Sequence, residues 1–339
     1  MSKHFTRRKF IGDISLGIGA PVIASQQIFT GNSSGKEYIP RLVNLATVSV
    51  MDLSASTPSD MIQQVLQIME QIIPYRPDII CLPEIFAYTG IQHQIKDVAE
   101  IVPGAVVQPF MNFAARHKCY VICPTYSREG ESIYIAAVLI NRSGKVVGEY
   151  RKMRPAQSEL EMGIRPGPID PPVFETDFGK IGIQICFDLK YEEGWNALKK
   201  KGAQFIFWPS AYAGGAEISS RAWRHQVFLV TSTQKDTSKI CDMSGDTIVQ
   251  TNRWQRNWVC APVNPEKAFV LTWPAVQDFP AMLKTYGSRI KINTYSEEEW
   301  TFIESLDSNL KIAEVLKSYQ LKPMYDFLNE LSLGHEAKR

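Results

Sequence analysis

An α/β layered fold is predicted by three features of the 339-residue chain. Short, continuously apolar runs of strand length recur, amphipathic stretches with helical spacing lie between them, and polar or reactive residues stand just past the apolar runs. Open sheets build their sites in that last position, beyond the strand ends. The composition is that of a globular protein, 45% hydrophobic, 21% charged and 11% aromatic, which excludes disorder and fibre. The length allows one large or two medium domains, and no repeat of 20 to 50 residues is visible.

The chain opens on a basic, polar stretch followed by a moderately apolar one. Residues 1–24 carry Lys3, Arg7, Arg8 and Lys9 against Asp13, so of the formal net charge of +2 the remainder of the chain carries −1. The body therefore offers no basic stripe for nucleic acid. Arg7-Arg8 before Lys9-Phe10-Ile11, with Gly12, Gly17 and Gly19 in a weakly apolar core and small residues near Ala24, has the pattern of a twin-arginine export signal. That pattern predicts a periplasmic or otherwise exported protein that meets the membrane only during export; the alternative is a basic tail on a cytoplasmic one. Gly31 to Gly35 reads as a linker, giving a division into signal and linker over 1–36, a folded domain over 37–279 and a C-terminal extension over 280–339.

The order of folded elements is expected to begin with a strand in the apolar run over 42–50. Thr57-Pro58-Ser59-Asp60 opens a helix whose apolar positions Ile62, Val65, Leu66, Met69, Ile72 and Ile73 share one face until Pro74 stops it. Ile79-Ile80-Cys81-Leu82 is a strand buried on both faces, and it delivers Glu84. Next come a helix over 109–117, a strand over 120–123 and a hairpin of strands over 133–140 and 145–150, the hairpin delivering Lys152. Residues 180–186 alternate as a strand ending at Cys186; a helix over 191–201 stops at Gly202, a strand covers 204–208, and helix and strand recur through 219–233. Residues 296–321 read as helical within the extension.

Six cysteines in a chain this long form no disulfide framework, and none has zinc-ligand spacing, so no metal site is indicated. Cys119 and Cys123 flank an apparent strand and are too far apart to bridge each other. Taken singly, Cys186 is a small core residue, Lys152 a solvated hairpin end and Glu84 a loop carboxylate in water. Together they are a different matter. Attack of a thiol on an amide or nitrile carbon needs a base for the thiol proton, a cation for the developing negative charge and a proton donor for the departing nitrogen. One Glu, one Lys and one Cys, spaced by 68 and 34 residues and all just beyond strands, can supply these.

Leu82-Pro83-Glu84, Tyr150-Arg151-Lys152 and Ile183-Gln184-Ile185-Cys186-Phe187-Asp188, with Gly202-Ala203, Trp208-Pro209-Ser210-Ala211, Ser220-Arg221-Ala222 and the 238–245 segment downstream, resemble the nitrilase superfamily of carbon-nitrogen hydrolases over residues 41–275. The resemblance implies a four-layer α-β-β-α sandwich that forms a homodimer or higher homo-oligomer. It implies Glu84 as general base, Lys152 as stabiliser of the tetrahedral intermediate, Cys186 as nucleophile, Glu159 as the second glutamate, and no cofactor. The backbone N–H of Phe187 is the expected second oxyanion donor. Lys190 is a candidate for holding a substrate carboxylate, and Phe86, Tyr88, Phe187, Trp208 and Tyr212 are candidates for an aromatic pocket or for core. Amide hydrolysis is the first reading. Nitrile or N-carbamoyl hydrolysis, acyl transfer to an amine, and non-catalytic binding of a small molecule are its alternatives. One departure stands out: where the family has Glu-Asn after Arg-Ala, this chain has Trp223-Arg224-His225-Gln226. His225 is read as a structural histidine, and the extension as packing on a neighbouring subunit.

Overall fold

The computed structural model describes residues 41–339; the twin-arginine pattern and the linker lie outside the described residues. Strand β1 (Val43–Val48) leads into α1 (Pro58–Ile72), where the Thr57 hydroxyl accepts from the Asp60 amide at 3.2 Å as an N-cap and Met61, Ile62, Val65, Met69 and Ile72 face inward. Pro74 falls in a closing 3₁₀ turn. Next come β2 (Ile79–Cys81), α2 (Ile95–Val98), α3 (Val107–His117), β3 (Tyr120–Glu129), β4 (Ser132–Ile140), β5 (Val146–Arg151) and α4 (Gln157–Glu161). The second half runs β6 (Val173–Thr176), β7 (Gly179–Ile183), α5 (Glu192–Lys200), β8 (Phe205–Ser210), α6 (Ala216–His225), β9 (Phe228–Thr233), β10 (Lys239–Cys241), β11 (Thr247–Gln250) and β12 (Trp258–Val263).

These strands form two six-stranded sheets, ordered β12-β1-β2-β3-β4-β5 and β11-β10-β9-β8-β7-β6. Each has three adjacent parallel strands, β1-β2-β3 and β7-β8-β9, with one antiparallel strand added on one side and two on the other. The parallel strands are apolar on both faces because both are covered. Leu45, Ile80, Phe205, Phe207 and Val230 meet in one core between the sheets, while Trp195, Leu198, Ile218 and Ala222 bring α5 and α6 onto Ile206, Trp208 and Leu229 on the outside of the second. Polar stitches cross the middle: the Ser232 hydroxyl donates to the Val48 carbonyl at 2.7 Å, and that of Thr47 to the Thr231 carbonyl at 2.6 Å. The result is the expected four-layer α-β-β-α arrangement.

The extension departs from the helical expectation. β13 (Lys267–Leu271), α7 (Thr272–Ala275), α8 (Phe279–Tyr286), β14 (Ile290–Tyr295), β15 (Trp300–Ser305), α9 (Ile312–Ser318) and α10 (Met324–Glu336) include a third sheet, ordered β13-β15-β14. Residues 296–321 thus hold a strand and a short helix. Trp300–Ser305 is strand because it pairs on both edges, and a central strand buried on both faces leaves no period for the eye to read. Ala268, Val270, Phe279, Met282, Ile303 and Val315 give this module a core of its own, one that includes residues on both sides of position 279.

The module packs on its own chain. Trp223, from α6, stacks on Trp300 with ring centroids 4.1 Å apart and meets Phe269 edge-on at 5.6 Å. Within the Trp223-Arg224-His225-Gln226 stretch the indole seals the sandwich against the third sheet, while Arg224 and His225 both meet Glu192. Trp223→Ala removes the stack and leaves a hole that backbone cannot fill, a loss of about 2–4 kcal/mol. A fall in thermal midpoint of several degrees with faster amide exchange across β14 and β15 is expected; unchanged exchange there would show that the stack does not hold the module.

Candidate active site

Glu84 stands just past β2, Lys152 directly extends β5, and Cys186 stands just past β7, so three strand ends converge from two sheets. The Lys152 amide donates to the Ile135 carbonyl at 2.8 Å, prolonging the β4–β5 ladder, and its own carbonyl accepts from the Gly167 amide at 2.8 Å. Only glycine allows that second approach, since a Cβ at 167 would lie 2.3 Å from the Arg151 carbonyl oxygen.

The Lys152 side chain is fully buried, and its ammonium donates to Glu84 at 2.8 Å and to both oxygens of Glu159 at 2.8 Å. Glu159 is held in turn by the Ala156 amide at 2.6 Å. Glu84 is 2% exposed. Burial works against the ammonium, but Glu84, the Cys186 sulfur and Glu159 outweigh it and hold the Lys152 pKa above the ordinary lysine range. One cation between two carboxylates is the arrangement that makes such burial tolerable.

Cys186 is the first residue of a 3₁₀ turn over Cys186–Lys190 and sits at φ 47°, a left-handed conformation costly for a residue with a Cβ. The Trp208 indole donates to the Cys186 carbonyl at 3.0 Å, and Ser210 and Ala211, at the end of β8, act on the thiol in the direction that favours its ionised form. Burial first, and Glu84 second, push the thiol up to about 12 against the opposing pull of Lys152. The thiol is therefore neutral at rest, and a base must take its proton as it attacks. Cys186 and Cys260 are partly exposed; Cys81, Cys119, Cys123 and Cys241 are buried, and all six are free thiols.

Asp188 joins the lysine and cysteine strand ends. Its carboxylate accepts from the Tyr150 hydroxyl at 2.6 Å, the Arg154 amide at 2.7 Å and the Ile185 amide at 2.8 Å, and Gln184 donates to the same Tyr150 hydroxyl at 3.1 Å. Burial raises the Asp188 carboxyl to about 6 despite these donors. Sequence reasoning gave neither Tyr150 nor Asp188 a role. Their signal was placement alone, a hydroxyl two residues before the lysine and a carboxylate two after the cysteine.

The remaining candidates fall in different places. Trp208 is fully buried beneath the cysteine turn, and Phe187 lies in that turn against Tyr191 with ring centroids 6.0 Å apart. Lys190 closes the turn, and its ammonium is paired with Glu217 at 2.6 Å in an outer groove with Glu192, Arg221 and Arg224. It is occupied there by a protein carboxylate, away from the Glu84–Lys152 pair. His225 stacks on Trp195 at 6.0 Å beside Glu192, and burial drives its pKa down to about 4, as suits a neutral structural histidine. Among the described residues no group of His, Cys, Asp and Glu could hold a metal ion, and no helix is long and apolar enough to cross a membrane.

The carbon-nitrogen hydrolase family model matches residues 43–268, two thirds of the chain, and the protein belongs to that family. Within it the chain is similar to a beta-ureidopropionase of Arabidopsis thaliana, 30% identical over 43% of this chain and 38% of the relative, and to an omega-amidase of Saccharomyces cerevisiae, 26% identical over 49% and 63%. It thus spans well under half of the first relative and somewhat under two thirds of the second. The crystal structure of Saccharomyces cerevisiae Nit3, a member of branch 10 of the nitrilase superfamily, shares the fold with a TM-score of 0.59 at 20% identity over 67% of this chain and 92% of that one.

Proposed function

We propose that this protein hydrolyses a non-peptide carbon–nitrogen bond, an amide first among the possibilities, through a thioester on Cys186. One observation carries the reading: a buried ammonium held at 2.8 Å by Glu84 and by Glu159, with the Cys186 thiol close enough to feel both Glu84 and Lys152. As Cys186 Sγ attacks the carbonyl carbon, Glu84 takes its proton, and the oxyanion is received by Lys152 and the Phe187 N–H. Glu84 then passes that proton to the departing nitrogen. A water activated by the same carboxylate cleaves the thioester, releasing the acid and restoring the thiol. Glu159 keeps Lys152 charged and aimed. Family membership and relatives named as a beta-ureidopropionase and an omega-amidase support the same chemistry. Export through Arg7 and Arg8 and self-association belong to the proposal on sequence grounds alone.

A panel of primary amides, N-carbamoyl amino acids and nitriles tests the reading. Ammonia is expected from at least one class without added metal or nucleotide, and the fastest class fixes the reaction type. No ammonia from any class, or release that depends on a chelatable metal, would refute it.

A further inference from the structure

Tyr212 stands just past β8, after Ser210 and Ala211, the two residues that act on the Cys186 thiol in the direction that favours its ionised form. Its amide donates to Ser210 Oγ at 3.1 Å and its ring meets Trp208 edge-on with centroids 5.3 Å apart, so the ring is fixed from both ends. The hydroxyl at its tip is buried yet has no hydrogen-bond partner among the described residues. Burial pushes the phenol up to about 12, and of the ionisable groups acting on it Cys186 is the strongest, ahead of Glu217, Lys152 and Glu84. It is thus a neutral donor and acceptor, and its ring packs on the same Trp208 whose indole donates to the Cys186 carbonyl. A buried hydroxyl without a partner costs about 1–3 kcal/mol, and such groups call for an explanation in function. Glu217, beyond Tyr212, is neutralised by Lys190 at 2.6 Å, so this side offers an ionised substrate no net attraction.

We infer that the Tyr212 hydroxyl is a specificity-determining contact for the acyl part of the substrate, selecting amides that carry a neutral hydrogen-bonding group a few atoms from the scissile carbon over aliphatic amides of equal length. The inference rests on the proposal that Cys186 accepts the acyl group. Removing a hydroxyl that has no protein partner leaves the fold intact, so Tyr212→Phe melts no lower than the unaltered protein.

The test compares 3-hydroxypropionamide with its isostere butyramide on the full chain and on Tyr212→Phe. The unaltered protein is expected to favour the hydroxyamide by about tenfold or more in kcat/KM, because a site that hydrogen-bonds a hydroxyl rejects the analogue lacking it. In Tyr212→Phe the ratio collapses towards one, through loss on the hydroxyamide, with butyramide little changed. An unmoved ratio, an equal loss on both amides, or a preference of the unaltered protein for butyramide would overturn the inference while leaving thioester hydrolysis standing. Absence of both ammonia and an acyl adduct on Cys186 with either amide would overturn the inference, whereas the hydrolase reading falls only if the full panel of amides, N-carbamoyl amino acids and nitriles is also silent.

Discussion

Lys152→Met is expected to lose both activity and stability. Its ammonium is the one cation bound to Glu84 and Glu159 among the described residues, and its side chain is fully buried. Removing it leaves Glu84 buried and Glu159 half-buried with no counter-charge, a loss of about 3–5 kcal/mol from the uncompensated charge. In a chain of this size that lowers the thermal midpoint by roughly 10 °C. The same change removes the charged donor for the oxyanion, and one such donor is worth about 10²–10³ in kcat. The two losses are separable. Lys152→Met with Glu159→Gln removes one of the stranded carboxylates and is expected to recover part of the midpoint and none of the rate. A single variant that melts normally and cleaves amides at the original rate would show that the buried pair is not the centre of the site.

Cys186→Ala is expected to lower the rate by about five orders of magnitude or more, since no neighbouring group can form the covalent intermediate. The backbone adds a second expectation. Position 186 sits at φ 47°, where glycine is at ease and any residue with a Cβ is strained by about 1 kcal/mol or more. Cys186→Gly should therefore melt at or above the unaltered protein while remaining inactive, whereas Cys186→Ala retains the strain. The raised thiol pKa sets the pH dependence. A thiol held up at about 12 stays protonated across neutral and mildly alkaline pH, and because Glu84 takes the proton during the attack, acylation by amide should not climb tenfold per pH unit between 7 and 9, as attack by a pre-formed thiolate would. A climb of that steepness would mean that the thiol ionises before it attacks.

Much of the sandwich and the positions of the candidate site residues were legible in the sequence because they lie just past the ends of strands with a readable pattern. Ile79-Ile80-Cys81 announces itself as an apolar run and Lys180 to Ile183 as the start of an alternating strand, and just beyond them stand Glu84 and Cys186. Lys152 was legible through the Ser143-Gly144 turn that fixes the hairpin register. The hidden features depend on tertiary pairing. Trp300–Ser305 takes its strand character from two neighbours, β13 and β14, and not from its own periodicity. Trp223 gave no sign of a partner until Trp300 was placed against it. Lys190 lies close enough behind the cysteine to suggest a substrate contact, yet the 3₁₀ turn carries it to Glu217. Asp188 and Tyr150 share a hydrogen bond across 38 residues, a relation no local pattern encodes.

Passage of the acyl group through sulfur at Cys186 is the step on which the whole mechanism turns. The most direct measurement is the mass of the intact protein, acid-quenched within the first turnovers of an amide it cleaves, with mapping of the modified peptide. The thioester mechanism predicts a transient increase equal to the acyl group, confined to the peptide containing Cys186, absent from Cys186→Ala and longer-lived in Glu84→Gln, where the base for deacylation is gone. Ammonia released at the full rate with no such adduct, or an adduct that forms equally in Cys186→Ala, would contradict it.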